Sequence, residues 1–137
     1  MSARILVVDD DTDLRTLLKA MLQRDGYEVV EAADGEQGWA RAVDSAPSLI
    51  LLDVMMPGPD GFETCRKLKS DSRTNAVPVI FISAKIDQRS RVEGLRLGAE
   101  DYLNKPIEYK DLRRRVGAAI QLKDLSRRMG SARPDGP

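Results

Sequence analysis

The sequence predicts a doubly wound α/β domain, with five parallel strands in one sheet and five helices covering its two faces. Three observations carry that reading. Short unbroken apolar runs recur along the chain, stretches with helical spacing lie between them, and the strongest runs end on acidic or hydroxyl residues.

The first run, Ile5-Leu6-Val7-Val8, is apolar throughout, as a strand covered on both faces must be. After it, Leu14, Leu17, Leu18, Met21 and Leu22 recur at helix spacing, with Asp11 or Thr12 as N-cap and Gly26 as the stop. A weaker strand fits near Tyr27 to Ala32, and a helix near Gly35 to Asp44. Leu49-Ile50-Leu51-Leu52 and Val79-Ile80-Phe81-Ile82 are the other two strong runs, with a helix expected between them near Phe62 to Ser70. A helix near Gln88 to Leu97, a short strand at Asp101 to Leu103 and a last helix from Tyr109 to Met129 complete the alternation. In that last helix the apolar positions continue past Ile120 to Leu122, Leu125 and Met129, more than one sheet face needs, so its second half is expected to project. Gly130-Ser131 and the stretch from Pro134 to Pro137 read as a linker or frayed tail. The expected organisation is one domain over 1–122 and an extension over 123–137.

Composition narrows the function. A chain of 137 residues can bury a real core without disulfides or structural metals. Its formal net charge is zero, which argues against a general nucleic-acid or membrane binder. The charge is uneven, however: residues 110–133 hold eight Lys or Arg against two Asp, a net +6. Cys65 is the only cysteine, so an intrachain disulfide or a cysteine-based zinc site is excluded. The absence of histidine excludes His-ligated metals, Ser-His triads and imidazole catalysis, and places any phosphohistidine on another protein. The N-terminal apolar run is too short for a signal peptide or a membrane span, and a cytoplasmic location is expected.

In a doubly wound sheet the ligand crevice lies beyond the carboxyl ends of the strands, where strand order reverses. Asp9, Asp10, Asp53, Ser83 and Lys105 all follow or end a strand. Carboxylates about 4 Å apart, at an effective dielectric of about 20, repel by roughly 4 kcal/mol per pair. Asp9, Asp10 and Asp53 together therefore call for cations. Mg²⁺, a hard ion that takes a few carboxylate oxygens and leaves room for phosphate, would supply two charges and Lys105 the third. Such a site suits phosphoryl transfer to a carboxylate, with Asp53 attacking in line and the Ser83 hydroxyl hydrogen-bonding a phosphoryl oxygen.

These residues carry a resemblance. The segments Val7-Val8-Asp9-Asp10-Asp11, Leu52-Asp53-Val54-Met55-Met56-Pro57-Gly58, Ile82-Ser83-Ala84 and Gly98-Ala99-Glu100-Asp101-Tyr102-Leu103-Asn104-Lys105-Pro106 resemble, in order and spacing, the receiver domains of two-component response regulators, over about residues 4–122. The resemblance implies a flavodoxin-like, CheY-like fold and a phosphoacceptor at Asp53. It implies Mg²⁺ held by Asp10, Asp53 and the Met55 carbonyl, with Asp9 acting through water. Lys105 would contact the phosphoryl group, aimed by a cis bond to Pro106. Ser83 and Tyr102 would form a switch pair, acting on the face made by the fourth helix, fifth strand and fifth helix. The implied partners are a sensor histidine kinase or phosphotransfer protein, a downstream effector, and a second copy through that same face. The family often has Thr where this chain has Ser83, which keeps the hydroxyl. Met55 and Lys85 stand where the family tunes the lifetime of the phosphoryl group.

Plainer readings exist for each residue. Asp11 suits a helix N-cap, and a lone Asp53 before a Pro-Gly turn would be an ordinary turn residue. Ser83 alone is a strand-end hydroxyl, Tyr102 a half-buried core aromatic, and Cys65 and Trp39 helix packing. Other functions fit less well. An aspartyl-phosphate phosphatase carries a second acid two residues after its nucleophile, where this chain has Met55. A nucleotide binder needs a Gly-rich turn after its first strand, where Asp9-Asp10-Asp11 would repel phosphates. A phosphorylation-independent interaction module would not need the full acceptor set. No helix-turn-helix pattern follows the domain, so specific DNA binding is not expected, whereas a regulatory domain cut from a larger effector enzyme remains an alternative.

Overall fold

The computed structural model describes residues 3–84 and 88–132. The elements follow in strict alternation: β1 (Arg4–Val8), α1 (Thr12–Arg24), β2 (Glu28–Ala32), α2 (Gly35–Ser45), β3 (Leu49–Asp53), α3 (Gly61–Lys69), β4 (Val79–Ser83), α4 (Gln88–Arg96), β5 (Asp101–Asn104) and α5 (Tyr109–Ala132). All the strands pair in parallel, in the order β2-β1-β3-β4-β5. The chain steps outward from β1 to β2 and then returns past β1 to β3. The order therefore reverses between the carboxyl ends of β1 and β3.

Two cores result from the two-residue period of the strands. Leu6, Val8, Ile50, Leu52, Val79 and Phe81 share one face with Ala42 of α2 and Cys65 and Leu68 of α3. Ile5, Val7, Leu49, Leu51, Ile80 and Ile82 share the other with Leu18 and Leu22 of α1 and Leu112 and Val116 of α5. Because β1, β3 and β4 are buried on both faces, an alternating pattern would have failed there. The continuous apolar runs are what a covered parallel strand requires.

Local chemistry sets the ends of the elements. Asp11 is the N-cap of α1, its side chain accepting from the amides of Asp13 and Leu14 at 3.0 and 3.2 Å. Gly26, at φ +89°, takes the left-handed turn after that helix. Three strands run one residue further than their apolar runs, to Asp53, Ser83 and Asn104, since a polar residue can still pair its backbone at the end of a ladder. The last helix also differs from expectation. It passes Met129 and continues through Gly130-Ser131 to Ala132, because nothing before Pro134 forbids a helical backbone. Residues 133–137, read above as part of the tail, lie outside the described residues, as does Lys85. Cys65 is a free thiol buried in the core, and burial pushes its pKa up. Trp39 packs partly buried against the core, with Lys67 Nζ 4.7 Å from its ring centre. Among the described residues no helix is long and apolar enough to cross a membrane.

Candidate functional site

Strand register assembles the site. Val8 pairs with Leu52, so Asp9 and Asp53, the next residues on neighbouring parallel strands, stand side by side. Asp53 pairs with Ile82, which brings Ser83 to the same edge. Ser83 pairs with Asn104, and the Lys105 amide donates to the Ser83 carbonyl at 2.9 Å, extending the ladder by one bond. The peptide between Lys105 and Pro106 is cis, as the resemblance to receiver domains implies.

The side chains converge. Asp9, Asp10 and Asp53 each present a carboxylate oxygen within 4.8 Å of the others. Asp9 and Asp53 are buried and Asp10 is exposed. Lys105 Nζ reaches both buried acids, at 3.1 Å from Asp9 Oδ2 and 3.3 Å from Asp53 Oδ2. Asp9 Oδ1 accepts from the Asp11 amide at 2.9 Å, and Asp53 Oδ1 from the Met55 amide at 3.3 Å. Asp9 Oδ2 is buried without a well-directed hydrogen bond, so its approach to Lys105 is an ion pair and not a satisfied acceptor.

Charge follows from this geometry. Burial and then the neighbouring Asp9 carboxylate raise the Asp53 pKa to about 6, against the lowering effects of Lys105 and the Met55 amide. For Lys105, burial works against the ammonium. The close contact with the Asp9 carboxylate and the charges of Asp53 and Asp9 outweigh it, and the pKa is raised. Three acids against one ammonium leave a negative pocket made of hard oxygen donors, with a buried Asp9 oxygen that no hydrogen bond satisfies. That donor set fits a hard divalent cation.

The remaining sequence-derived residues lie nearby. Ser83 is buried at the end of β4. Tyr102 is mostly buried one strand away, its ring 5.6 Å from Phe81 and its hydroxyl donating to the Arg91 carbonyl of α4 at 3.0 Å. Met55 presents its side chain to solvent beside the acids.

Three further residues were not singled out by sequence. Gly61 opens α3 against the end of β3, where a Cβ would stand 2.2 Å from the Asp53 carbonyl oxygen. Gly94 leaves the slot for Tyr102, whose hydroxyl a Cβ would meet at 1.6 Å. Arg15 of α1 turns back to donate to the Asp9 carbonyl at 2.6 Å. A glycine beside the N-cap Asp60 signals the first, and a glycine inside a helix signals the second. Nothing local signals Arg15, whose target lies six residues upstream across a turn.

The fold and the acidic crevice define a class: signalling domains that carry an acidic pocket at the switch point of a CheY-like sheet. The model of the response regulator receiver domain matches residues 5–117, and the chain belongs to that family. It is 51% identical to the response regulator PleD of Caulobacter vibrioides over 116 residues, which are 85% of this chain and 26% of PleD. It is 40% identical to the protein PilH of Pseudomonas aeruginosa over 118 residues, covering 86% of this chain and 98% of PilH. Among solved structures, the receiver domain of the sensor histidine kinase PA1611 from Pseudomonas aeruginosa, with magnesium in its active-site cleft, superposes with a TM-score of 0.81. That match is 32% identical and covers 88% of this chain and 99% of the other. The chain thus spans about a quarter of PleD and nearly all of PilH. It is a receiver domain of the kind found in response regulators, a family in which the domain serves as phosphoacceptor.

Proposed function

We propose that Asp53 is the residue that accepts the phosphoryl group, in a Mg²⁺-dependent reaction. The observation that carries this reading is the Lys105 ammonium, placed 3.1 and 3.3 Å from Asp9 and Asp53 at the mouth of a three-carboxylate cluster. An Asp53 oxygen attacks phosphorus as the phosphorus–nitrogen bond of a phosphohistidine breaks. The electron pair leaves with the donor imidazole, and an acyl phosphate remains on Asp53. With a pKa of about 6, Asp53 is mostly ionised at neutral pH and is available as a nucleophile. Lys105 exchanges carboxylate contacts for a phosphoryl oxygen. Ser83, one residue past the partner of Asp53, supplies a hydroxyl to another. Mg²⁺ held by Asp9, Asp10, Asp53 and the Met55 carbonyl would neutralise charge on the transferring group.

The switch is proposed to run from Ser83 to Tyr102 and onto the face of α4, β5 and α5. Ser83 and Tyr102 both continue the strand face of Phe81, and the Tyr102 hydroxyl is already bonded to α4. Movement of Ser83 toward the phosphoryl group would free space beside Phe81 and bias which position Tyr102 takes. The donor is proposed to be a sensor histidine kinase or phosphotransfer protein, and the reader a downstream effector or a second copy meeting this face. The domain would then catalyse only its own phosphorylation and dephosphorylation. The receiver is assigned to 1–122, with 123–137 as an extension outside it. The exposed Leu125 and Met129 support that division, since they lie beyond the last core contacts of α5.

Beryllofluoride with Mg²⁺, an analogue of the bound phosphoryl group, tests this reading. Amide resonances of Asp53, Ser83 and Tyr102 are expected to shift in the wild type and not in Asp53→Asn. Equal shifts in both proteins would refute the assignment.

A further inference from the structure

Asp10 is the exposed member of the acidic cluster, and among the described residues no hydrogen bond or ion pair holds its carboxylate. With no side-chain contact to hold it, the backbone that carries it decides where its carboxylate can reach. Asp9, by contrast, is pinned on both sides of its Cα. Its amide donates to the Ala32 carbonyl at 3.1 Å and its Oδ1 accepts from the Asp11 amide at 2.9 Å. Its carbonyl, which forms the peptide plane leading into Asp10, accepts from Arg15 Nη1 at 2.6 Å.

The guanidinium is itself held. Arg15 Nε lies 3.5 Å from Glu31 Oε1 at the end of β2, and Lys19 Nζ lies 3.6 Å from Glu31 Oε2. The Arg15 side chain is only 15% exposed, so this is a packed arm and not a solvated surface charge. Its Nε is buried without a hydrogen bond. The guanidinium thus joins two elements: Glu31 of β2 fixes one side of it, and the other side is directed at the Asp9 carbonyl.

We propose that Arg15 is a positioning residue for the metal site: by holding the Asp9 carbonyl it orients the Asp9–Asp10 peptide and so aims the Asp10 carboxylate at the cation. This rests on the metal site proposed above. Outer contacts that orient ligands commonly change metal affinity by about 10- to 100-fold when removed. Arg15 acts through the backbone of its ligand, so the lower end of that range is expected.

The test is Mg²⁺ titration by calorimetry of the full chain as wild type, Arg15→Ala, Arg15→Lys and Asp10→Asn, with unfolding in chelator reporting the fold separately. Arg15→Ala is expected to weaken Mg²⁺ about 10-fold. Arg15→Lys keeps a donor for the carbonyl and is expected to recover at least half of that loss on a logarithmic scale. An Arg15→Ala affinity within twofold of wild type, while Asp10→Asn loses binding, would overturn the inference. So would equal weakening in the Ala and Lys variants, which is the result a merely structural arm would give; Arg15→Lys against wild type keeps the test open if Arg15→Ala does not fold. Wild-type affinity in Asp10→Asn would instead overturn the metal site itself.

Discussion

Replacing Asp53 with asparagine should stabilise the metal-free protein. Asp53 is 2% exposed and its carboxyl is raised from the ordinary 3.8 to about 6, chiefly by burial and then by Asp9. A raised carboxyl pKa means that the folded state holds the proton more tightly than the unfolded chain. Folding is therefore favoured at low pH, and that advantage is lost as pH rises from about 4 to above 6. The shift corresponds to a penalty of about 3 kcal/mol at neutral pH, borne by the wild type and absent from Asp53→Asn. Urea unfolding in chelator, followed from pH 4 to pH 8, measures it. The mutant is expected to exceed the wild type by about 2–3 kcal/mol above pH 7, with the gap closing toward pH 4. Added Mg²⁺ should narrow the gap by stabilising the wild type more. A mutant no more stable than wild type at pH 7.5, or a gap independent of pH, would refute the picture of a strained acidic cluster.

Other outcomes follow from particular contacts. Lys105→Ala removes the ammonium that meets Asp9 and Asp53, and phosphoryl uptake from acetyl phosphate should slow by about 100-fold. Mg²⁺ binding, measured by calorimetry, should be kept or tightened, because a competing cation is gone. Gly94→Ala puts a Cβ where the Tyr102 hydroxyl lies, and should cost about 1–3 kcal/mol in unfolding experiments. In a Tyr102→Ala background the same change should become neutral or gain up to about 1 kcal/mol, since alanine is the better helix former. Deleting residues 122–137 removes Leu122, Leu125 and Met129, each more than half exposed, and should leave phosphorylation intact. Loss of folding on that deletion would contradict the boundary at residue 122.

The parts of this protein that were legible in its sequence are those governed by short-range rules. Fully covered strands leave unbroken apolar runs, and the acids of a crevice stand directly after them, so β1, β3, β4 and Asp9, Asp10 and Asp53 could be placed without a structure. Strand β2 was fainter because it is an edge strand, with only Ala32 fully buried. The end of α5 was misjudged because Gly130-Ser131 permits a helix that no core contact demands. Arg15 and Gly94 were illegible for another reason. Their meaning lies in what stands opposite them, the Asp9 carbonyl and the Tyr102 hydroxyl, and chain reversal through the fold decides that.

The central claim is that Asp53 takes the phosphoryl group in a site that needs a divalent cation. Intact-mass measurement after incubation with acetyl phosphate tests it most directly. The wild type with Mg²⁺ should gain the mass of one phosphoryl group, whereas Asp53→Asn, or the wild type in excess chelator, should gain none. Equal incorporation in the wild type and Asp53→Asn would contradict the acceptor, and incorporation in chelator would contradict the metal.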